Sequence, residues 1–551
     1  MGKIVVIGGV AGGATAAARL RRLDERAEII IFERGEHISF ANCGLPYHIG
    51  GTIPDRGDLL LQTPASFRRR FNVDVRVNCE VMSIDRGAKT VAVKNIQTDE
   101  AYNESYDKLL LAPGAAPVKP PIDGVDLPQV FTLRNIADMD NIKAYIEENK
   151  PESAVIAGGG FIGIEMAENL KQAGLNVTVV QSPEQVLTPL DTDMACDVHN
   201  YLRKCGVSLY LSSRMQRITE HGEKVTVELP NSSIEAEMLI LAVGVKPESH
   251  IAKDAGLKVN ERGGIVVDKY MRSSDPDVYA VGDAVEVINF VTGEPSLIPL
   301  AGPANRQARV AADNICGINS EYTGTQGSLI IKIFEMTAAA TGINEKTAKK
   351  LGLNYDKVFL WLPGHAGYYP GAKPMSMKVI FERKSGRILG AQVVGFDGAD
   401  KRCDVIAAAI RAGMTAYNLT NIELCYAPPY SSAKDPVNMA GYMIENVLTG
   451  KVKNFHWHDV EELPRDGSLT LLDVRYPQEV AGGRIDGFIN IPLDDLRGRL
   501  GELNKSKPVY VHCHSGMRSY IGCRILAQNG FDAYNLSGGY RLYGAIHTYM
   551  K

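Results

Sequence analysis

A multidomain α/β fold is the class this sequence predicts, and three observations carry the prediction. Two glycine-rich turns, around Gly8 and around Gly158, each separate a short β-branched strand from a helix. A middle region alternates strands and helices with tyrosine-rich loops. The tail beyond residue 455 has a compact α/β pattern of its own. At 551 residues the chain has room for roughly three to five domains. A net charge of −4 gives no reason to expect nucleic acid or an acidic membrane as partner. Nine cysteines without C-x-x-C spacing suggest neither a zinc cage nor a disulfide framework, and fit a reducing cytoplasm. No apolar run approaches the ~18 residues of a membrane-spanning helix.

The first unit opens on KIVVIGG, a run suited to a buried parallel strand. The helix VAGGATAAARLRRLD follows. Gly8, Gly12 and Gly13 allow the tight turn and close packing, and the helix amino terminus presents N–H groups to a pyrophosphate. The next strand, EIIIFER, ends near Glu33, where a carboxylate can accept ribose hydroxyls. Val10 replaces the middle glycine of G-x-G-x-x-G, so a purely structural turn stays open for this unit alone. The second unit, SAVIAGGGFIGIEMAENLKQAGLNVTVVQ, has all three glycines, Gly158, Gly160 and Gly163. Its strand ends on Gln181 rather than an acid. With no Lys or Arg in QSPEQ, NADH with tolerance of NADPH is expected. Two apolar strands, YDKLLLAPGAAP (106–117) and AEMLILAVGVKP (236–247), enter Gly-Pro crossings where the chain changes domain. DVYAVGDAVE places Gly282 and Asp283 after a strand, with the next helix expected to aim its amino terminus at a cofactor.

Together these segments resemble the flavoprotein pyridine nucleotide-disulfide reductases over residues 1 to about 325. The resemblance implies two Rossmann-like domains. The FAD-binding domain has a first part at 1–117 and a second at 247–325, with the NAD(P)H-binding domain at 118–246. It implies FAD near Gly8, Val10, Ala11, Gly12, Gly13, Glu33, Arg34, Val81, Gly114, Gly282, Asp283 and Ala301. The nicotinamide cofactor, NADH or NADPH, would lie near Gly158, Gly160, Phe161, Ile162, Gly163, Glu165, Gln181 and Gly244.

SFANCGLPYHIGG (39–51) holds one cysteine, Cys43, where many such reductases carry C-x4-C; the position five residues on is His48. A thiol beside a flavin takes up two electrons only as a disulfide, persulfide or sulfenic acid. Lacking a neighbour, Cys43 must receive its second sulfur or oxygen from the substrate. SFANCGLPY with TPASF resembles the coenzyme A-disulfide reductase branch. Its peroxide-reducing relatives use a histidine where Val10 stands, so a sulfur substrate is expected. Coenzyme A phosphates need cations: Arg19 and Arg22 share a helix face, and Arg68, Arg69 and Arg70 form another cluster, with solvated surface charge the alternative for both. Ser39, Asn42 and Gln62 are the remaining coenzyme A candidates. HAGYYPGA (365–372) and CYAPPYSSAKDPVN (425–438) resemble the branch's α+β dimerisation domain, expected at 326–448. That likeness implies a homodimer in which Tyr368 and Tyr426 reach the partner's Cys43, Tyr369 competing with Tyr368.

In the tail, PVYVH runs directly into Cys513, and MRSYIGCRILAQNG reads as a helix ending at Gly530. A cysteine on such a loop meets converging N–H groups that lower its pKa and hold a persulfide. Phosphatases hold phosphate on a related Cys-x5-Arg loop, so spacing alone does not settle the chemistry. Asp473, Arg475, Glu479, the loop from Cys513 through His514, Ser515, Gly516 and Met517 to Arg518, and the segments LLDVR, GGRIDGFINIP and LSGGY resemble an α/β rhodanese domain at 455–551. Cys523 reads as structural. A connection of about eight residues spans at most ~30 Å, and apolar Phe455 and Trp457 imply that the tail packs on the reductase.

The combination resembles rhodanese-fused coenzyme A-disulfide reductases of the NADH-dependent persulfide reductase type. The implied activity is NAD(P)H- and FAD-dependent reduction of sulfane sulfur in coenzyme A persulfide or polysulfide, through a mixed disulfide of Cys43, with Cys513 loading sulfur and Arg518 completing its loop. The alternatives are plain coenzyme A-disulfide reduction with an accessory tail, and a redox-sensing flavoprotein with a docking tail.

Overall fold

The computed structural model describes residues 2–550. Lys3–Ile7 is apolar and buried along almost its whole length, as a central parallel strand must be. It pairs with Glu28–Phe32 on one side (Val5 opposite Ile30) and with Lys108–Leu111 on the other (Val5 opposite Leu109). Asp74–Arg76 and Val278–Ala280 complete this five-stranded sheet. The helix Ala11–Leu23 turns its buried alanines toward the helix Ala301–Ile315. A second parallel sheet repeats the plan in the order Ser208–Tyr210, Asn176–Val180, Ser153–Ala157, Met238–Leu241, Val130–Phe131. The crossing segments Ala115–Pro117 and Val245–Pro247 pair antiparallel, so the chain leaves and re-enters the first sheet's domain side by side. These elements form one compact unit, residues up to 184 with 206–327.

Residues 185–205 and those from 328 onward form the second unit. Its larger sheet is antiparallel, in the order Leu329–Ile333, Met336–Gly342, Ile388–Gly395, Pro374–Glu382, Tyr355–Pro363. The excursion 185–205, inside the range read from sequence as nucleotide-binding, packs here for an electrostatic reason. It delivers Asp191 and Asp193 to the fully buried Lys378, at 2.9 Å each, and Glu345 joins them at 2.8 Å. Burial alone would lower the Lys378 pKa, but the three carboxylates raise it above its usual value. Removing one partner of such a buried cluster costs about 3–5 kcal/mol.

The tail forms a parallel sheet ordered Lys453–Phe455, Ala533–Leu536, Val509–His512, Thr470–Asp473, Ile489–Asn490. Its first strand begins two residues before the expected boundary, because Lys453–Phe455 pairs with Tyr534–Leu536. Phe455 therefore does not pack on the reductase. It is 5 % exposed in the tail's own core with Val460, Ile485 and Leu536. Trp457 does reach outward, donating its indole N–H to Asp193 at 3.3 Å. Among the described residues no helix is long and apolar enough to cross a membrane.

Candidate active sites

The first glycine-rich turn opens on a cavity of about 300 Å³. Gly8 has φ +95°, and a Cβ there would lie 2.2 Å from the Ala112 carbonyl, so the turn requires glycine. Of the twelve residues expected around FAD, ten line the cavity: Gly8, Val10, Ala11, Gly12, Glu33, Arg34, Val81, Gly114, Gly282 and Asp283. Gly13 instead sits where a Cβ would meet the Gly8 carbonyl at 1.8 Å; it serves the packing of helix on turn. Ala301 opens its helix in an exposed position, and Ala304, nearly one turn on, lines the cavity. The Glu33 carboxylate accepts the Gly9 and Gly35 N–H groups, each at 2.8 Å. Asp283 carries no hydrogen bond from a described side chain. Burial raises its pKa, opposed by Arg134. A hydroxyl-bearing ligand is what such a carboxylate lacks, and the cavity's glycine floor and N–H-rich helix start fit a dinucleotide. The sequence reading missed Arg134 and Glu248, both in the lining. Glu248 binds Arg34 at 2.8 Å and also pairs with Arg134. The only sequence signal was a charge placed directly after the crossing Val245–Pro247.

The second turn repeats this geometry. Gly158 has φ +112°, with a hypothetical Cβ 2.1 Å from the Ala242 carbonyl, and one on Gly163 would lie 1.9 Å from the Gly158 carbonyl. At Gly160 and Gly244 a Cβ would meet nothing within 4 Å, which leaves the backbone approachable there. Phe161 and Ile162 open the helix Phe161–Gln172 and are half-buried. Gln181 Oε1 accepts the Gly159 N–H at 2.8 Å, the contact that Glu33 makes with Gly9 in the first unit. An amide thus does here, without charge, what a carboxylate does there.

Cys43 lies in the one-turn helix Asn42–Gly44, which leads into Leu45–Ile49. That second helix packs against Phe161–Gln172. Cys43 is exposed. Burial of its surroundings raises the thiol pKa, and the charged groups that add to the rise are both carboxylates, Glu165 and Asp283. Glu165 is itself pushed up to about 7, by burial and then by Glu168. His48 is no second redox partner: it is buried, and its Nδ1 is 2.8 Å from the Ile53 carbonyl.

The coenzyme A candidates separate. Arg19 is committed to Asp313, with two nitrogens at 2.8 Å, whereas Arg22 is exposed. Ser39 is left-handed at φ +48°, Asn42 lines the cavity, and Gln62 accepts the Ser66 hydroxyl at 3.0 Å. Arg68, Arg69 and Arg70 lie in the helix Pro64–Phe71 and are exposed. In the second unit the Tyr368 and Tyr426 hydroxyls lie 3.0 Å apart, both rings exposed. Tyr369 turns to the His365 ring instead, centroids 5.7 Å apart.

Cys513 has the opposite surroundings. It is fully buried. Its sulfur accepts the Gly516 N–H at 3.1 Å and the Ser519 hydroxyl at 3.3 Å. Gly516, at φ +98°, caps the helix Met517–Gln528, whose first turn faces the thiol. Four residues separate Cys513 from Arg518, one fewer than in the phosphatase Cys-x5-Arg loop. Arg518 forks onto Glu479 with two bonds of 2.6 Å, which holds the Glu479 carboxyl at about 2. Arg475 and Asp473 form a buried pair at 2.8 Å. Cys523 is buried among apolar neighbours, and burial pushes its thiol pKa well up.

These features define a two-nucleotide flavoprotein reductase joined to a sulfurtransferase-type loop. The chain belongs to the pyridine nucleotide-disulphide oxidoreductase family, a flavin- and NAD(H)-dependent class of enzymes. Residues 2–308 match that family, 330–436 its dimerisation domain and 456–545 the rhodanese-like domain. The crystal structure of reduced Bacillus anthracis CoADR-RHD is 50% identical with a TM-score of 0.97, covering 99% of this chain and 98% of that one. A NAD-dependent persulfide reductase from A. fulgidus is 39% identical with a TM-score of 0.92, covering 98% and 100%. A coenzyme A disulfide reductase of Staphylococcus epidermidis is 36% identical over 444 residues, 80% of this chain and 99% of that one.

Proposed function

We propose that this enzyme uses NAD(P)H to reduce sulfane sulfur carried on coenzyme A, releasing hydrogen sulfide. The observation that carries the reading is a lone exposed thiol, Cys43, next in sequence to the cavity-lining Asn42, on a chain that also builds a donor-lined thiol at Cys513. Cys43 attacks the coenzyme A sulfur of the persulfide. The bond to the outer sulfur breaks, hydrosulfide leaves with the electron pair, and a Cys43–S–S–CoA disulfide remains. Two electrons and a proton restore the Cys43 thiolate and free coenzyme A, so the overall change is CoA–S–SH + NADH + H⁺ → CoA–SH + H₂S + NAD⁺. FAD, when bound by the Gly8 turn, Glu33 and Asp283, supplies the two-electron passage from the nicotinamide. The pair Tyr368 and Tyr426 from a second copy donates hydrogen bonds to the leaving thiolate, which makes the working form a homodimer. Arg22, Ser39 and Asn42 hold the carrier; Arg19, tied to Asp313, contributes least. Cys513 loads the outer sulfur from a donor, with Arg518 fixing its loop.

A second reading, reduction of coenzyme A disulfide alone, is favoured by the Staphylococcus relative, whose whole length corresponds to 80% of this chain. Sulfide released per NADH oxidised decides between them. One sulfide per NADH on coenzyme A persulfide, at a rate above that on coenzyme A disulfide, supports the first reading. Turnover confined to the disulfide overturns it.

A further inference from the structure

The Cys513 loop is braced from outside its own domain. Its carbonyls at Cys513 and His514 accept the N–H groups of Tyr540 and Arg541, both at 2.8 Å. Those two residues lie in the first turn of the helix Gly539–Met550, so the position of that turn sets the position of the loop. The turn is held by the Arg541 side chain. One nitrogen donates to Asp197 Oδ1 and the other to Ser376 Oγ, both at 2.7 Å. The Ser376 hydroxyl itself donates to Asp197 Oδ2 at 2.7 Å, closing a triangle. Asp197 and Ser376 are buried. Asp197 belongs to the excursion 185–205 and Ser376 to the strand Pro374–Glu382, so neither is part of the rhodanese-like domain. The Arg541 guanidinium also lies 5.9 Å from the Trp361 ring centroid, and that ring meets His514 edge-on at 5.3 Å. A further tie, from the Phe359 N–H to Ser537 Oγ at 3.2 Å, holds the chain just before the turn.

We infer that Arg541 is a positioning residue for sulfur transfer at Cys513, fixing the loop through Asp197 and Ser376. The inference rests on the proposed role of Cys513 as the sulfur-loading thiol. In the transfer the Cys513 thiolate takes the outer sulfur of thiosulfate and sulfite leaves with the bonding pair. Cyanide then removes that sulfur as thiocyanate and restores the thiolate. Without the brace the turn, the two carbonyls and the donors aimed at the sulfur lose their common frame.

The experiment compares full-length wild type, Arg541→Met, Arg541→Lys, Ser376→Ala and Cys513→Ser for thiosulfate-to-cyanide transfer. The pH profile of Cys513 alkylation by iodoacetamide is read by mass spectrometry of its peptide. Arg541→Met is expected to lower kcat about tenfold to a hundredfold, the scale of a catalytic group displaced by about 1 Å, and to move the Cys513 profile to higher pH. Lys at 541 recovers part of both changes, and Ser376→Ala moves both in the same direction by less. NADH-dependent reduction of coenzyme A disulfide, which does not use this loop, stays at the wild-type rate and reports an intact fold. Wild-type kcat and an unmoved profile in both Arg541→Met and Ser376→Ala overturn the inference. Transfer surviving in Cys513→Ser would instead remove the reading of Cys513 on which it rests.

Discussion

Cys43 sits in the one-turn helix Asn42–Gly44 and Cys513 opens the loop between the strand Val509–His512 and the helix Met517–Gln528, and the fold gives the two thiols opposite surroundings. Cys513 is fully buried and receives hydrogen bonds from Gly516 and Ser519 of its own loop. Cys43 is exposed, and its pKa is raised by burial of its surroundings and then by the charges of Glu165 and Asp283. A thiolate is stabilised by donors and positive potential. Cys513 is supplied with donors locally, whereas under the proposed function Cys43 draws them from the cofactor, the substrate or a second copy. Under that proposal, Cys513 stores a sulfur and Cys43 reacts only when its site is complete.

The largest test of this contrast exchanges each sulfur for oxygen. Cys43→Ser is expected to abolish NADH-dependent reduction of every sulfur substrate and the long-wavelength absorbance that appears on anaerobic NADH titration. Sulfur transfer to cyanide should survive in it. Cys513→Ser should show the converse on donors that load the loop, while reducing preformed coenzyme A persulfide normally. Equal activity of Cys513→Ser on every donor would make the tail an accessory to a simpler reductase.

A smaller effect is expected at the tyrosine pair. Tyr426→Phe removes only the hydroxyl that lies 3.0 Å from that of Tyr368. Losing a hydrogen bond to a charged sulfur costs about 1.5–3 kcal/mol, or roughly tenfold to a hundredfold in rate. Flavin content and dimer mass should be unchanged. An unaltered rate constant for sulfur–sulfur cleavage would return Tyr426 to a purely interfacial role.

The smallest effect concerns Glu165, whose pKa is raised to about 7 by burial and Glu168. Above that pH its ionised carboxylate adds negative charge beside Cys43 and opposes the thiolate. Glu165→Gln should therefore shift Cys43 alkylation to lower pH. The linkage has a definite sign. A carboxyl whose folded pKa lies above its unfolded value stabilises the fold below about 4.5 and loses that contribution as pH rises through about 7. The melting temperature of Glu165→Gln relative to wild type should rise across that window and level off above it. A constant difference from pH 4.5 to 8 would place the Glu165 carboxyl in an ordinary solvated setting.

Much of this molecule was legible in its residues, for a physical reason. Glycine at positive φ, short continuous apolar strands and helix starts are local requirements, so the Gly8 and Gly158 turns, the two crossings and the strand before Cys513 all read out of short segments. Tertiary structure decided whatever depended on groups far apart in the chain. It assigned Arg19 to Asp313 and set Tyr368, not Tyr369, against Tyr426. It packed Phe455 into the tail's own core and drew residues 185–205 out of the nucleotide-binding range to meet Lys378. Charges and rings choose among several chemically equal partners, and only the folded chain brings one partner within reach. The lone Cys43 was visible in the sequence; that the charges acting on it are two carboxylates, from segments more than a hundred residues away, was not.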